Sequence, residues 1–138
     1  MQTLNAQDVV QSYLDAFGAQ DLARCVDLFC DDATLFAPPV TYQGKQALED
    51  WHRARFNANA RIVRIDDVSA QDDVVTVQGA ITSKRLKAWR INTLAGRATF
   101  KMRGDKIADV RFEPAGWKHF LGGASQLGVF RTQRDQDR

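Results

Sequence analysis

The chain of 138 residues is poor in the residue types that crosslink a protein or bind a metal. It has two cysteines, Cys25 and Cys30, and two histidines, His52 and His119. The cysteines form neither a CxxC motif nor a disulfide framework, so we expect reduced, buried thiols. The histidines are far apart and lack neighbouring cysteines at zinc-binding spacing. The sequence therefore predicts no metal site.

Long apolar runs and nucleotide-binding motifs are also missing. No apolar stretch approaches the roughly 18 residues that a membrane span needs. There is no GxGxxG, phosphate-loop or GxSxG sequence, so no cofactor is expected. The first residues, Met1 to Asn5, show neither the basic nor the apolar region of a secretory signal. We therefore expect a cytoplasmic protein that does not bind a membrane.

Charge is unevenly distributed, although the net charge is only +2. Residues 1–32 hold six Asp against one Arg, whereas residues 84–106 hold eight Lys or Arg against one Asp. Two solvated faces of opposite sign explain this pattern, and so does a basic surface that recruits an acidic partner. The basic residues alternate with strand-like Leu86, Trp89 and Ile91 and carry no recognition motif, so we expect no nucleic acid partner.

Apolar spacing predicts three helices in the first half of the chain. Asn5 is a typical N-cap, and apolar residues then recur every three or four positions as far as Gly18. Asp21 is a cap for a second, short helix. A third helix is predicted from Lys45 to Phe56, after Gly44.

The remainder predicts strands. A short strand over 33–37 ends at Pro38-Pro39, and longer ones are predicted over 61–69, 74–82, 89–102 and 106–113. Helices followed by antiparallel strands are typical of an α+β fold with the helices on one face of a curved sheet. We predict one domain over residues 1–113 and a partly frayed extension over 114–138.

Several segments resemble the nuclear transport factor 2-like superfamily, which includes ketosteroid isomerases and SnoaL-like polyketide cyclases. They are Ala16–Asp21, Phe29–Thr34, Gly44, and the hairpin from Phe100 to Val110. The resemblance implies a cone, in which a bent antiparallel sheet wraps three N-terminal helices around an apolar pocket. This fold is also called cystatin-like. It further implies a homodimer formed through the outer face of the sheet.

The resemblance also places the isomerase residues. Those enzymes use an Asp base, with a Tyr and a protonated Asp as hydrogen-bond donors. By resemblance the tyrosine is Tyr13, while the two acidic positions fall on Ala37 and near Ala98. Since a methyl group cannot move a proton, ordinary steroid isomerisation is not expected. A supporting family tyrosine corresponds to His52, so the candidate catalytic pair is Tyr13 and His52, as a proton-transfer pair or as a buried structural hydrogen bond.

We also predict an apolar pocket. Its candidate walls share an aromatic or thioether side chain at a core position: Phe17, Phe36, Trp51, Phe56, Trp89, Phe100 and Met102. The expected ligand is a small apolar or aromatic molecule. The protein is then a SnoaL-like binding protein, with isomerase- or cyclase-type proton transfer as one possibility. The alternative is a non-catalytic ligand-binding or dimerisation module of the same fold.

Overall fold

A computed structural model describes residues 5–88, 90 and 93–115, with only the backbone of Arg85. Within these ranges the chain forms four helices and six strands. The helices are α1 (Ala6–Gly18), α2 (Leu22–Asp27), α3 (Lys45–Asn57) and α4 (Lys84–Ala88). The strands are β1 (Phe29–Ala37), β2 (Val40–Gln43), β3 (Arg61–Gln71), β4 (Val74–Thr82), β5 (Leu94–Arg103) and β6 (Lys106–Pro114). None of the described helices is long and apolar enough to cross a membrane.

The first two helices begin where the sequence predicts. The Asn5 side chain accepts a hydrogen bond from the Asp8 amide at 2.8 Å, and Asp21 accepts one from the Arg24 amide at 3.1 Å. Each cap satisfies an amide that has no partner inside its own helix. Helix α3 follows Gly44, whose φ of +89° favours glycine.

The six strands form one curved, open sheet in the order β2-β1-β6-β5-β4-β3. The α+β fold is therefore confirmed. One detail differs from the predicted antiparallel sheet, because β1 pairs with β6 in parallel while the other neighbouring pairs are antiparallel. The parallel pair arises because the chain crosses the whole domain between these two strands.

Two paired glycines lie where β3 comes close to β4 and where β6 comes close to β5. Gly79 and Gly96 are partners in the register. A Cβ on Gly79 would lie 2.4 Å from the Arg64 carbonyl oxygen, and one on Gly96 would lie 2.9 Å from the Glu113 carbonyl oxygen. Only glycine lets the backbones meet this closely, so the pair allows tight packing across four strands.

The segment between β4 and β5 differs from the sequence prediction. A strand was expected over 89–102, but β5 begins at Leu94 and helix α4 precedes it. The Ser83 hydroxyl caps α4 by accepting a hydrogen bond from the Leu86 amide. Lys, Arg, Leu and Ala are good helix formers, so Lys84–Ala88 forms a helical turn before the sheet resumes. Of the predicted extension over 114–138, Pro114 ends β6 and the part from residue 116 onward, with His119, lies outside the described residues.

The core lies between the helices and one face of the sheet. Helix α1 packs against β3, β4 and β6, while α3 packs against β1 and β2. The fully buried side chains of this layer include Val9, Val10, Leu35, Leu48, Val75, Phe100, Ile107 and Val110. The inner face of the sheet and the inner stripes of α1 and α3 therefore enclose Tyr13 and His52.

Candidate functional site

Tyr13 and His52 meet inside the core, although they are 39 positions apart. The Tyr13 hydroxyl lies 2.7 Å from Nε2 of His52, and Nδ1 of His52 lies 2.7 Å from the carbonyl oxygen of Leu48. The side chains are buried, with relative exposures of 2% and 0%. Helix α1 supplies the phenol, and one turn of α3 supplies both the imidazole and the carbonyl. Two helices are thus joined by a polar contact in an apolar layer.

The partners of His52 define its tautomer. A backbone carbonyl can only accept a hydrogen bond, so Nδ1 must carry a hydrogen. In a neutral imidazole Nε2 is then the acceptor, and the Tyr13 hydroxyl donates to it. The only hydroxyl hydrogen of Tyr13 is therefore engaged in this bond. What remains available on Tyr13 is the acceptor capacity of its oxygen.

Burial favours the uncharged forms of both groups. Desolvation lowers the pKa of His52 below its ordinary value, the positive charge of Arg55 lowers it further, and the bond to Leu48 opposes the shift. Desolvation raises the pKa of Tyr13 well above 10, and the nearby Cys25 adds to the effect. Near neutral pH the pair is therefore a neutral phenol hydrogen-bonded to a neutral imidazole.

Aromatic rings surround the pair. The ring of Tyr13 is tilted or edge-on to Phe17, Phe29 and Phe100, with centroids 5.5–6.1 Å away. His52 lies edge-on to Trp51 at 4.9 Å. Such tilted contacts are the preferred geometry of aromatic pairs. Phe29 is the ring that β1 places against Tyr13, and it offers the phenol no hydrogen-bonding group.

The predicted wall residues occupy three different environments. Phe17, Trp51, Phe56 and Phe100 belong to the aromatic layer around the pair, and Met102 is packed in the same core farther along β5. Trp89 lies outside the described residues. Phe36 corrects the prediction, because neighbouring Leu35 points into the core and Phe36 therefore points to the opposite face of the sheet. There the Arg111 guanidinium lies 4.5 Å from its ring centroid.

The two alanines that the resemblance places at the acidic positions of the isomerases lie on the inner face. Ala37 ends β1 opposite Val40, and Ala98 is paired with Val77 and Phe112. Both are half-buried and pack against the core. They present methyl groups where the resemblance implies carboxyl groups, and the buried titratable groups around Tyr13 in the described interior are His52 and the Cys25 thiol.

A stack at the C-terminal end of α3 was not predicted in full. Trp51 lies face to face with Phe112, with centroids 5.3 Å apart and ring planes inclined by 10°. The Arg55 guanidinium lies 5.1 Å from the Trp51 ring centroid. The sequence places Trp51 and Arg55 near one face of the helix. Phe112 was missed, although its spacing of two from buried Val110 puts both on the same face of β6.

Two surface depressions lie away from the pair. One, of about 280 Å³, lies between α2 and α3 and is lined by Leu22, Val26, Lys45 and Glu49, among others. The other, of about 400 Å³, lies at the turn between β3 and β4. Neither is lined by Tyr13 or His52. The described residues contain no group of three or more His, Cys, Asp or Glu side chains that could hold a metal ion.

Solved structures with this fold include candidate and established enzymes. A cyclase candidate for polyketides from Sinorhizobium meliloti is 18% identical, with a TM-score of 0.68, covering 80% of this chain and 100% of that one. The epoxide hydrolase/cyclase-like enzyme SalBIII of salinomycin pyran-ring formation is 20% identical, with a TM-score of 0.71 and coverages of 79% and 89%. A cystatin-like protein from Xanthomonas campestris is 21% identical, with a TM-score of 0.71 and coverages of 81% and 92%.

These similarities show the fold. No curated protein matches the chain. The model of the SnoaL-like domain matches residues 10–110, which include most of α1, all of α3, Tyr13, His52 and most of the sheet. The chain therefore belongs to the SnoaL-like domain family.

Proposed function

We propose that this protein binds a small, largely apolar or aromatic molecule in the aromatic layer between α1, α3 and the inner face of the sheet. The observation that carries the proposal is the neutral Tyr13–His52 hydrogen bond within a group of aromatic rings. An apolar interior with a few convergent polar groups is the usual form of a small-molecule site. Membership of a family with cyclase-like structural neighbours supports it.

The ligand enters from the side of Trp51, Phe56 and Phe112. Phe56 and Phe112 are half-buried, whereas Phe29 and Phe100, which contact the Tyr13 ring, are fully buried. Separating the Trp51–Phe112 stack costs the contact between two rings, and an aromatic ligand inserted there restores it. Entry next to Phe100 would instead disrupt the densest part of the core.

The Tyr13 oxygen recognises a donor on the ligand. Because its own hydrogen is bonded to Nε2 of His52, the phenol oxygen accepts a hydrogen bond from a ligand hydroxyl or amine. The bond from Tyr13 to His52 strengthens this acceptor, since hydrogen bonds in a chain polarise one another. We therefore expect ligands with a hydroxyl at their buried end to bind more tightly than the corresponding ethers.

Isothermal titration with 2-naphthol and 2-methoxynaphthalene tests this function. The naphthol should bind about 5- to 10-fold more tightly, as expected for one net hydrogen bond of about 1–1.4 kcal/mol. Tyr13→Phe should remove the difference, and Trp51→Ala should weaken both compounds. Phe36→Ala is the matched control, because it removes a ring from the outer face. Absence of saturable binding of both compounds at millimolar concentration would contradict the proposal.

Proton transfer is a second candidate function, and the relay geometry favours it. A ligand proton would pass to the Tyr13 oxygen while the phenol proton passes to Nε2 of His52, leaving a ligand anion and an imidazolium. The lowered pKa of His52 opposes this charge, so recognition ranks above catalysis. Hydrogen–deuterium exchange at the acidic carbon of 2-tetralone in D₂O, followed by NMR, tests it. Catalysed exchange should be lost in Tyr13→Phe and His52→Gln. Equal rates in all three proteins would rule out the relay.

The homodimer expected from the resemblance is a further proposal. It places the outer sheet face around Phe36 and Arg111 against a second copy. Phe36→Glu should convert the dimer to a monomer in sedimentation analysis. A wild-type protein that sediments as a monomer at 100 µM would contradict it.

A further inference from the structure

The end of the domain formed by α3 and α4 collects positive charge. Residues 51–65 and 74–104 contain no Asp or Glu. The structure brings parts of both stretches together, because the Lys84 amide donates a 2.8 Å hydrogen bond to the carbonyl of Ala58, just after α3. We name as the cationic end the residues Arg55, Arg61, Lys84, Lys87 and Arg90.

Three of these cations are exposed at the helical turn that leads back to the sheet. Lys84, Lys87 and Arg90 take part in none of the ion pairs found among the described residues. Leu86, between them, is buried and fixes the turn against the domain. Their charges therefore project from a fixed element and raise the positive potential around the end of α3.

Arg55 connects this charge to the interior. It is half-buried, and its guanidinium lies on the Trp51 ring that stacks on Phe112. Its charge also contributes to the low pKa of buried His52. A guanidinium in this position faces the side from which the proposed ligand enters. Its planar fork of donors matches a carboxylate.

We propose that the ligand of this protein carries a carboxylate group, which Arg55 binds and the other cations of the cationic end attract. The inference rests on the proposed function, because it assigns the chemistry of the outer end of the same ligand. The aromatic body lies against Trp51 and Phe112, and the carboxylate remains beside Arg55. The protein then selects aromatic or polycyclic acids over neutral molecules of the same shape.

A small acid fits these residues better than a large acidic surface does. Arg55 is half-buried against a tryptophan, whereas a flat macromolecular face would meet the exposed cations Arg61, Lys84, Lys87 and Arg90. A small planar acid can reach both the guanidinium and the ring stack. Its affinity therefore depends on Arg55 more than on the exposed lysines.

A matched ligand pair tests the inference. Isothermal titration compares 6-hydroxy-2-naphthoate with 6-hydroxy-2-naphthamide, which has the same shape and no charge. In 20 mM NaCl we expect the acid to bind about tenfold more tightly, as a charge-assisted hydrogen bond predicts. In 300 mM NaCl the preference should shrink without vanishing, since salt screens Lys84 and Lys87 more than it screens half-buried Arg55.

Substitutions of the basic residues show which of them gives the preference for the acid over the amide. Arg55→Gln should abolish the preference for the acid, Arg55→Lys should retain part of it, and the double variant Lys84→Gln/Lys87→Gln should reduce it two- to threefold. Arg103→Gln is the matched control, since it removes one positive charge at the opposite end of β5. The measured quantity is the ratio of the affinities for the acid and the amide. A variant that weakens the binding of both ligands equally, by disturbing Trp51, leaves this ratio unchanged.

Two outcomes overturn the inference in distinguishable ways. If the acid and the amide bind equally, or if Arg55→Gln keeps the tenfold ratio, the carboxylate assignment is wrong and the proposed binding function stands. If neither compound binds to the wild-type protein, the binding function fails and the inference fails with it.

Discussion

The two ends of the sheet differ in whether their basic side chains form ion pairs with carboxylates. At the paired end, which we define by Asp27, Asp32, Arg103 and Lys106, each cation meets a carboxylate. Arg103 donates to Asp32 at 2.8 Å, and Nζ of Lys106 lies 3.9 Å from the Asp27 carboxylate. At the cationic end, Lys84, Lys87 and Arg90 enter no ion pair among the described residues. The acidic N-terminal segment thus neutralises only the far half of the basic segment.

Distance keeps the two ends electrostatically separate. Strand β5 runs from Leu94, near the cationic end, to Arg103 at the paired end. Ten residues of strand span about 30 Å, which is several Debye lengths at physiological salt. The ion pairs of one end therefore do not screen Lys84, Lys87 and Arg90 at the other.

Aromatic side chains of the interior should contribute less to the free energy of unfolding near the cationic end than in the centre of the core. Phe100 is fully buried beside Tyr13, so Phe100→Ala should lower the free energy of unfolding by about 3–5 kcal/mol. Phe112 is half-buried, and Phe112→Ala should cost less. Urea unfolding followed by circular dichroism measures both. Equal losses would mean that the ligand entry side is packed as densely as the core.

Two glycine substitutions should have opposite signs. Gly79→Ala should destabilise by about 1–3 kcal/mol or more, because its Cβ would lie 2.4 Å from the Arg64 carbonyl oxygen. Gly18→Ala should stabilise by about 0.5–1 kcal/mol, since a Cβ at this helical position meets no atom within 4 Å. Thermal unfolding of both variants gives the comparison. A neutral Gly79→Ala would show that the strand contact near the cationic end can relax.

The interior and the paired end should lose stability in different pH windows. The folded-state pKa of His52 is lowered, so the unfolded chain binds more protons below its ordinary pKa of 6.5. His52 therefore contributes full stability above about pH 6.5, and this is lost as the pH falls toward the folded-state pKa. The Asp32 pKa is lowered by its hydrogen bond with Arg103 and by the Arg103 charge, so its contribution is lost only as the pH falls below 3.8.

Urea titrations between pH 4 and pH 8 in a His119→Gln background isolate the His52 contribution. The free energy of unfolding should fall as the pH is lowered through 6.5, and His52→Gln should flatten that slope. A slope that survives in His52→Gln would assign it to another group. Arg103→Gln should leave this window unchanged.

The ion pairs of the paired end should matter least. The side chains of Asp32 and Arg103 are 66% and 62% exposed, and exposed pairs of this kind contribute little because water and salt screen them. Arg103→Gln should leave the melting temperature almost unchanged, and high salt should reduce even that effect. A large drop in scanning calorimetry would show that the pair orders the β5–β6 turn.

Local chemistry made parts of the fold predictable. Asn5 and Asp21 cap helices because their side chains accept from amides a few positions along the chain. Pro38-Pro39 ends β1, and Asp72–Asp73 forms the turn between β3 and β4. The resemblance identified Tyr13 and His52, whereas their spacing alone would not have paired them. Helix α4 was missed because five residues give too short a periodic pattern to distinguish from a strand.

The sequence alone was enough to predict the first three helices, two of their caps, most of the strands and the concentration of basic residues over 84–106. These features depend on neighbours within a few positions. The packing of distant segments set β1 parallel to β6, turned Phe36 away from the core and stacked Phe112 on Trp51. It also brought Arg103 to Asp32, whereas Lys84, Lys87 and Arg90 enter no ion pair within the described ranges. Each of these depends on contacts between residues far apart in the chain, and burial and Coulomb energy depend on where those residues meet in space.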